Sequence, residues 1–329
     1  MHATVGKMSY VAIVLTRNGA STIGETLKSL LAQTRQPARI CVVNDGSSDR
    51  TGEILDGFRQ QTPTKFAVVN LSDRGYDIRR VPANLNAAYA RIEAEQESFC
   101  CSLITGDDCV FPNGYCDTLL NEMERNRRLV IASGSSGVRV SPDAVGFPEG
   151  AGRFVREDFW NRLGRRYPVA YGWEAWLVFK AVQLGYQVEC LHWLEYVHTK
   201  ARGSTHGFRF WGKAMRALGY HPLVALGRIA KNMLYHETPV PYSGSISMLA
   251  AYLFPGRSES DQYQRDYEAD LRHFVRHYQA IRIARLVSRQ IRHFFRWDRH
   301  LGQTAAEPSG DLLILVRHHR ETEVFKTYA

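Results

Sequence analysis

The sequence predicts an α/β protein, and three observations carry that expectation. An apolar run, Val11-Ala12-Ile13-Val14-Leu15, breaks at Thr16-Arg17-Asn18. A helix-like segment follows, Thr22 to Gln33. A second apolar run, Arg39-Ile40-Cys41-Val42-Val43, then stops at Asn44-Asp45-Gly46-Ser47-Ser48-Asp49. Strand, helix and strand with polar tips form the unit of an open α/β sheet, which binds ligands outside the carboxyl ends of its strands.

Each element follows in order. Val11–Leu15, Ile40–Val43 and Phe66–Leu71 read as short buried strands, separated as in a parallel sheet. Thr22 to Gln33 places Ile23, Leu27, Leu30 and Leu31 on one helical face, and Ser21 or Thr22 with Glu25 has the spacing of a capping box. Asp49 caps a second helix, with Ile54, Leu55 and Phe58 inward. Asn84 to Ala94 reads as a third helix, and Phe99 to Thr105 as a fourth strand ending at Gly106-Asp107-Asp108. Ser133 to Gly152 is glycine-rich strand and loop. Trp173 to Leu184 is a helix stopped by Gly185, Val188 to Val197 a strand, and Thr199 to Gly212 a loop. The pattern is then largely helical, which divides the chain into residues 8–212 and a helical, basic region, 213–329.

Bulk properties narrow the class. At 329 residues the chain suits one large domain or two ordinary ones, and 44 % hydrophobic residues supply a core. A formal charge of +9 favours phosphate-bearing partners, nucleic acid or an anionic membrane without choosing among them. Met1 to Tyr10 lacks the apolar core of a signal peptide. No stretch reaches the roughly 18 apolar residues that span a bilayer, and Ile246 to Phe254 is too short. The six cysteines, Cys41 and the Cys100-Cys101 pair among them, match no zinc spacing and read as packed, reduced thiols of a cytosolic protein.

Two strand ends carry chemistry. Asp45 can accept hydrogen bonds from a base edge, while Gly46 lets backbone approach closely. A plain turn is the bland alternative, weakened by Thr16-Arg17-Asn18 facing the same crevice. No GxGxxG follows the first strand, which weighs against a dehydrogenase. Asp107 and Asp108, adjacent carboxylates at a strand terminus, can hold Mg²⁺ or Mn²⁺, and such a metal neutralises a diphosphate. A capped turn before Pro112 is the alternative there.

These residues resemble an inverting family 2 glycosyltransferase of the GT-A fold. The matching elements are Val14 to Asn18, Val43 to Asp49, Asn84 before a helix, Gly106-Asp107-Asp108, and Tyr171-Gly172-Trp173-Glu174-Ala175-Trp176. Coverage is roughly Ser9 to Ser204. The resemblance implies a Rossmann-like mixed sheet flanked by helices and a nucleotide-sugar donor, with Asp45 at the base and Asp107 and Asp108 at the metal and diphosphate. Two departures stand out. Thr105 occupies the first acidic position of the family's Asp-x-Asp, so ligation rests on Asp107 or Asp108, with His198 as a helper. Ala175 stands where the family commonly has an Asp that serves as base.

Inverting transfer needs a carboxylate to take the acceptor's proton. Glu174 is the candidate, with Trp173 and Trp176 expected to stack on a sugar and desolvate the acid. An ordinary N-terminal helix acid is the alternative, and Asp158 a reserve base. Arg79 or Arg80 can pair a phosphate. Lys200 to Gly207, with Arg202, is a basic loop able to close over the diphosphate. No Gln-x-x-Arg-Trp is present, so a processive polymerase is not supported.

From Arg257 to Leu301 there is neither glycine nor proline, and arginines recur among apolar residues. Such a basic amphipathic helix suits an anionic bilayer surface, and packing on the catalytic domain is the alternative. No nucleic-acid reader motif accompanies the charge. The expectation is therefore a metal-dependent inverting glycosyltransferase, cytoplasmic and peripheral at the inner face of the membrane. Its acceptor is expected to be a lipid-linked sugar, a lipid phosphate or a surface glycan precursor. A nucleotidyltransferase, or a non-catalytic nucleotide-sugar or RNA binding module, are the competing classes.

Overall fold

The computed structural model describes residues 8–62, 65–95, 98–137, 147–200, 207–235, 241–254 and 266–301. The three N-terminal apolar runs and the fourth become parallel strands: β1 (Tyr10–Thr16), β2 (Arg39–Asp45), β3 (Lys65–Leu71) and β4 (Cys101–Gly106). Their registers are unbroken, with Thr16 opposite Asn44 and Leu15 opposite Gly106. β1 thus lies between β2 and β4, and the carboxyl ends of all three finish together. β5 (Cys109–Val110), β6 (Leu129–Ser135), β7 (Arg153–Arg156), β8 (Gln187–Glu195) and β9 (Val197–His198) complete the strands. The main sheet runs β3-β2-β1-β4-β7-β6-β8, and only β7 is antiparallel to its neighbours. β5 pairs with β9 in a separate two-stranded ribbon.

The helices are α1 (Ile23–Leu31), α2 (Thr51–Gln61), α3 (Val81–Ala94), α4 (Tyr115–Arg125), α5 (Glu157–Arg162), α6 (Trp173–Gln183), α7 (Gly207–Ala217), α8 (Pro222–Tyr235), α9 (Pro241–Leu253) and α10 (Ala269–Leu301). Side chains alternate across a strand, and in β1 both sets are apolar. Tyr10, Ala12 and Val14 pack with Leu27 of α1, Leu55 of α2 and Leu119 of α4. Val11 and Ile13 pack on the other face with Leu85 of α3, Trp160 of α5 and Leu177 of α6. A sheet covered on both faces explains why these strands read as continuous apolar runs.

Two compact units divide the chain, Met1–Gln279 and Ala280–Ala329. Within the first, Leu271 and Val275 of α10 and Ala217 of α7 join the same apolar cluster as α6. A further cluster, Phe208, Met215, Ala225, Ile229 and Met248, ties α7, α8 and α9 together. No described helix is long and apolar enough to cross a membrane.

Some local expectations are corrected. α7 starts at Gly207, so the end of the predicted loop is helical. α3 starts at Val81 with Pro82 in its first turn, which places Asn84 inside the helix rather than before it. Thr22 makes no side-chain cap, because its hydroxyl turns back toward the Gly19 carbonyl. Asp49 does accept the amide of Thr51, the first residue of α2, and also that of Ala20.

Candidate active site

The tips of β1, β2 and β4 gather most of the residues that the motifs single out. Thr16 is the last residue of β1, and its hydroxyl donates to Asp107 Oδ2 at 2.6 Å across the seam with β4. Lys200 Nζ holds the other oxygen of Asp107 at 3.0 Å. Gly19 closes this corner: a Cβ there would lie 2.1 Å from Asp107 Oδ2 and 2.4 Å from Thr16 Oγ1. Any side chain at Gly19 would therefore displace the carboxylate.

On the opposite flank of β1, Arg17 turns toward β2. Its guanidinium donates to the carbonyls of Asp45 and Gly46 and pairs with Asp73 at 2.7 Å. Asn18, at φ +48°, receives and returns hydrogen bonds with the Ser47–Ser48 turn: its amide donates to Ser47 Oγ, and its Oδ1 accepts from Ser48 N, both at 2.9 Å. Gly46, at φ +62°, lies so close to residue 73 that a Cβ would meet the Asp73 Cα at 2.4 Å. Both the left-handed backbone and the close approach require glycine.

Asp45 is buried at the end of β2. Its Oδ2 pairs with Arg80 Nη2 at 3.1 Å, and its buried Oδ1 has no hydrogen-bond partner among the described residues. A buried acceptor left unpaired is costly, so Oδ1 is open to a donor from water or a ligand. Arg79 behaves differently from Arg80. Its guanidinium is held by Asp77 at 2.8 Å, and that hydrogen bond, with Tyr171 adding to it, keeps its charge more firmly than usual. Asn84 is also buried with an unpartnered Oδ1.

The β4–β5 turn carries the second acid. Asp108 Oδ2 lies 3.2 Å from His198 Nδ1. Burial pushes the Asp108 carboxyl up, but the hydrogen bond and charge of His198 outweigh it and leave it below the ordinary carboxylate range. The β5–β9 ribbon puts Cys109 directly opposite His198, with Sγ 3.6 Å from Nδ1. Asp108, Cys109 and His198 thus form a cluster whose ligand atoms lie within 4.8 Å of one another. Burial pushes the Cys109 thiol up to about 12, so it stays protonated near neutrality. The Asp108 carboxylate is the donor a hard divalent cation prefers, and the His198 imidazole is a borderline nitrogen donor that suits Mn²⁺ better than Mg²⁺.

Glu174 is the second residue of α6 and is exposed. Its carboxylate lies over Gly150, where a Cβ would sit 2.4 Å from Oε1. Because Arg153 of β7 stands opposite Ile104 of β4, this part of the chain shares the sheet end that bears Asp107. Buried Arg153 fixes the arrangement by donating to the carbonyls of Pro148, Glu149 and Glu174. The expected desolvation by tryptophan is not found: Trp173 and Trp176 are buried core residues packed on Tyr167. Asp158, the reserve base, is misplaced. It follows Arg156, which pairs with Cys101 at the start of β4, the far end of the sheet. Arg202 lies outside the described residues.

Sequence reasoning missed Arg153, Cys109 and the role of Thr16 toward Asp107. Thr16 reads from the sequence as the polar end of the first strand, and its bond to Asp107 depends on β1 and β4 being neighbours in the sheet. An alternative signal, a polar residue closing a buried strand beside a second acidic strand end, was available.

Residues 11–170 match the family model described as glycosyl transferase family 2. Among solved structures the chain is similar to the mannosyltransferase PcManGT from Pyrobaculum calidifontis, in complex with GDP-Man and Mn²⁺. The identity is 20 %, with 77 % of each chain covered and a TM-score of 0.52. It is also similar to S. aureus TarS 1–349, at 17 % identity over 75 % of this chain and 71 % of that one, with a TM-score of 0.47. No curated protein matches the chain in sequence.

Proposed function

Since residues 11–170 are a glycosyl transferase family 2 domain with the GT-A fold, we propose that the protein transfers a sugar from a nucleotide-sugar donor to an acceptor with inversion, assisted by Mg²⁺ or Mn²⁺. The observation that carries this reading is the pair of acid sites flanking one strand tip, Asp45 beside Arg17 and Asp107 beside Thr16. One suits the nucleoside and the other the diphosphate.

In this reading Asp45 Oδ1 accepts a hydrogen bond from the nucleoside, and Arg80 fixes the carboxylate's orientation through Oδ2. Thr16, Arg17, Asn18 and Asn84 shape the donor site, with Arg79 near its edge. Asp108 and His198 would hold the metal, and Asp107 shares its charge with Lys200. A bound Mg²⁺ or Mn²⁺ supplies positive charge to the departing diphosphate. Lys200, held against Asp107, adds cationic charge there.

The acceptor oxygen attacks the anomeric carbon opposite the diphosphate. The new C–O bond forms as the bond to the diphosphate breaks, and the acceptor's proton passes to Glu174. Glu174 suits this role because it is exposed at the catalytic end of the sheet, while Ala175 offers no acid. The acceptor is a lipid-linked or surface glycan precursor, reached by a protein that is peripheral at an anionic membrane.

The test is a panel of UDP-, GDP- and dTDP-sugars, scored by thermal shift and metal-dependent donor hydrolysis. One donor is expected to raise Tm in a Mn²⁺-dependent manner and to release its nucleoside diphosphate. Release of inorganic diphosphate instead would mark nucleotidyl transfer and overturn the reading.

A further inference from the structure

We infer that the α8–α9 hairpin, rather than the α10 tail, is the surface that docks this protein on an anionic bilayer. The inference rests on the membrane-peripheral part of the proposed function and gives it a location.

Both helices bury one stripe and expose another that is also apolar. In α8, Ala225 and Ile229 are buried, while Leu223, Leu226 and Leu234 face outward, Leu234 at 73 % exposure. Their spacing of three and eight residues keeps them on one face. In α9, Met248 and Ala251 are buried, while Tyr242 and Ile246, with Phe254 just past the helix end, face outward, at 57 %, 64 % and 76 %. An ordinary solvent-facing helix carries polar residues on its outer face. Contiguous exposed apolar surface on a monomer marks an interaction site.

Charge selects the occupant. From Gly207 to Phe254 the chain has five Arg or Lys residues and a single acid, Glu237. Arg209, Arg216 and Arg228 are exposed, and Arg228 stacks over the exposed Trp211 ring at 5.5 Å. Apolar stripes with a basic, aromatic rim fit the headgroup boundary of an anionic membrane. Neither helix is long enough to span, so the contact lies in the plane of the surface. The first turns of α10 cannot serve, since Leu271 and Val275 are spent in the core.

Flotation of the full chain with phosphatidylcholine vesicles, with and without phosphatidylserine, tests this. Two variants are compared: Leu226→Glu with Ile246→Glu, and Arg289→Gln with Arg292→Gln and Arg296→Gln. The wild type is expected to float with the anionic vesicles only. The hairpin variant is expected to lose at least about tenfold in partitioning at unchanged Tm, and the tail variant to keep its binding. Loss in the tail variant with binding kept in the hairpin variant would overturn this inference and leave a membrane role for α10. A wild type that ignores vesicles would overturn both. Sedimentation showing a lipid-free dimer that the hairpin variant dissociates would replace the bilayer by a second copy of the chain. The nucleotide-induced thermal shift, read on the same samples, reports separately on sugar transfer.

Discussion

Thr16 and Asp107 are 91 residues apart in sequence, yet the threonine hydroxyl lies 2.6 Å from Asp107 Oδ2. The bond spans two adjacent parallel strands at their carboxyl ends. It positions an acid that the β4 backbone alone would leave free to rotate. Thr16→Val keeps the shape and removes the donor. A buried hydrogen bond to a carboxylate contributes about 1.5–3 kcal/mol, so chemical denaturation is expected to show a loss in that range. Unchanged stability would mean that Lys200 alone positions Asp107.

Asp45 Oδ1, like Asn84 Oδ1, is a buried acceptor without a hydrogen-bond partner among the described residues. Asp45→Asn removes the charge and keeps the size. The affinity for the cognate nucleoside diphosphate is expected to fall about tenfold or more, equal to ~1.4 kcal/mol, measured by titration calorimetry. Equal affinity in wild type and variant would remove Asp45 from the nucleoside.

Gly19 and Gly46 test the backbone of the same crevice. An alanine at Gly19 collides with Asp107 Oδ2 and Thr16 Oγ1, both side-chain atoms that can shift. An alanine at Gly46 collides with the Asp73 backbone and adds left-handed strain. Gly46→Ala is therefore expected to cost more stability than Gly19→Ala, with overpacking worth about 1–3 kcal/mol. Gly19→Ala in turn is expected to impair metal-dependent donor binding more than its stability loss accounts for. Thermal melts and donor titrations on both variants give the comparison.

The legible part of this molecule was the part with local causes. β1 and β2 announced themselves because both faces of each strand are buried, and the tips at Asp45 and Asp107 followed from where the apolar runs stopped. α4 lies outside the elements expected from the sequence, although Tyr115, Leu119, Leu120 and Met123 have helical spacing and are buried. The Cys109–His198 contact was out of reach, because an antiparallel ribbon joins residues 89 apart that show no metal-type spacing. Trp173 and Trp176 misled for a related reason. Aromatics beside an acid look like a sugar platform until the packing of Tyr167 against them is known.

Asp49 gives the pH dependence. Slight burial raises its pKa, but the Thr51 hydroxyl and the Ala20 and Thr51 amides outweigh that and lower it below its ordinary value. A carboxyl with a depressed folded pKa adds stability above its unfolded pKa and loses it as pH falls through the folded one. The Tm gap between wild type and Asp49→Asn is therefore expected to be full above the ordinary Asp pKa, about 3.9, and to shrink as pH falls below it through the lowered folded value. A gap independent of pH would show that the hydrogen bonds do not depend on the charge.

Glu174 is the proposed base. It is exposed, so Glu174→Gln is expected to leave Tm and donor affinity unchanged. Proton abstraction by a positioned carboxylate contributes typically 10²–10⁴-fold to rate. The transfer rate with saturating donor and acceptor is expected to drop by at least about a hundredfold. Gln preserves size and hydrogen bonding, which makes the loss specific to the missing base. A variant that transfers at near wild-type rate would move the base elsewhere on the same sheet end, with Glu149, the residue before Gly150, the next to replace.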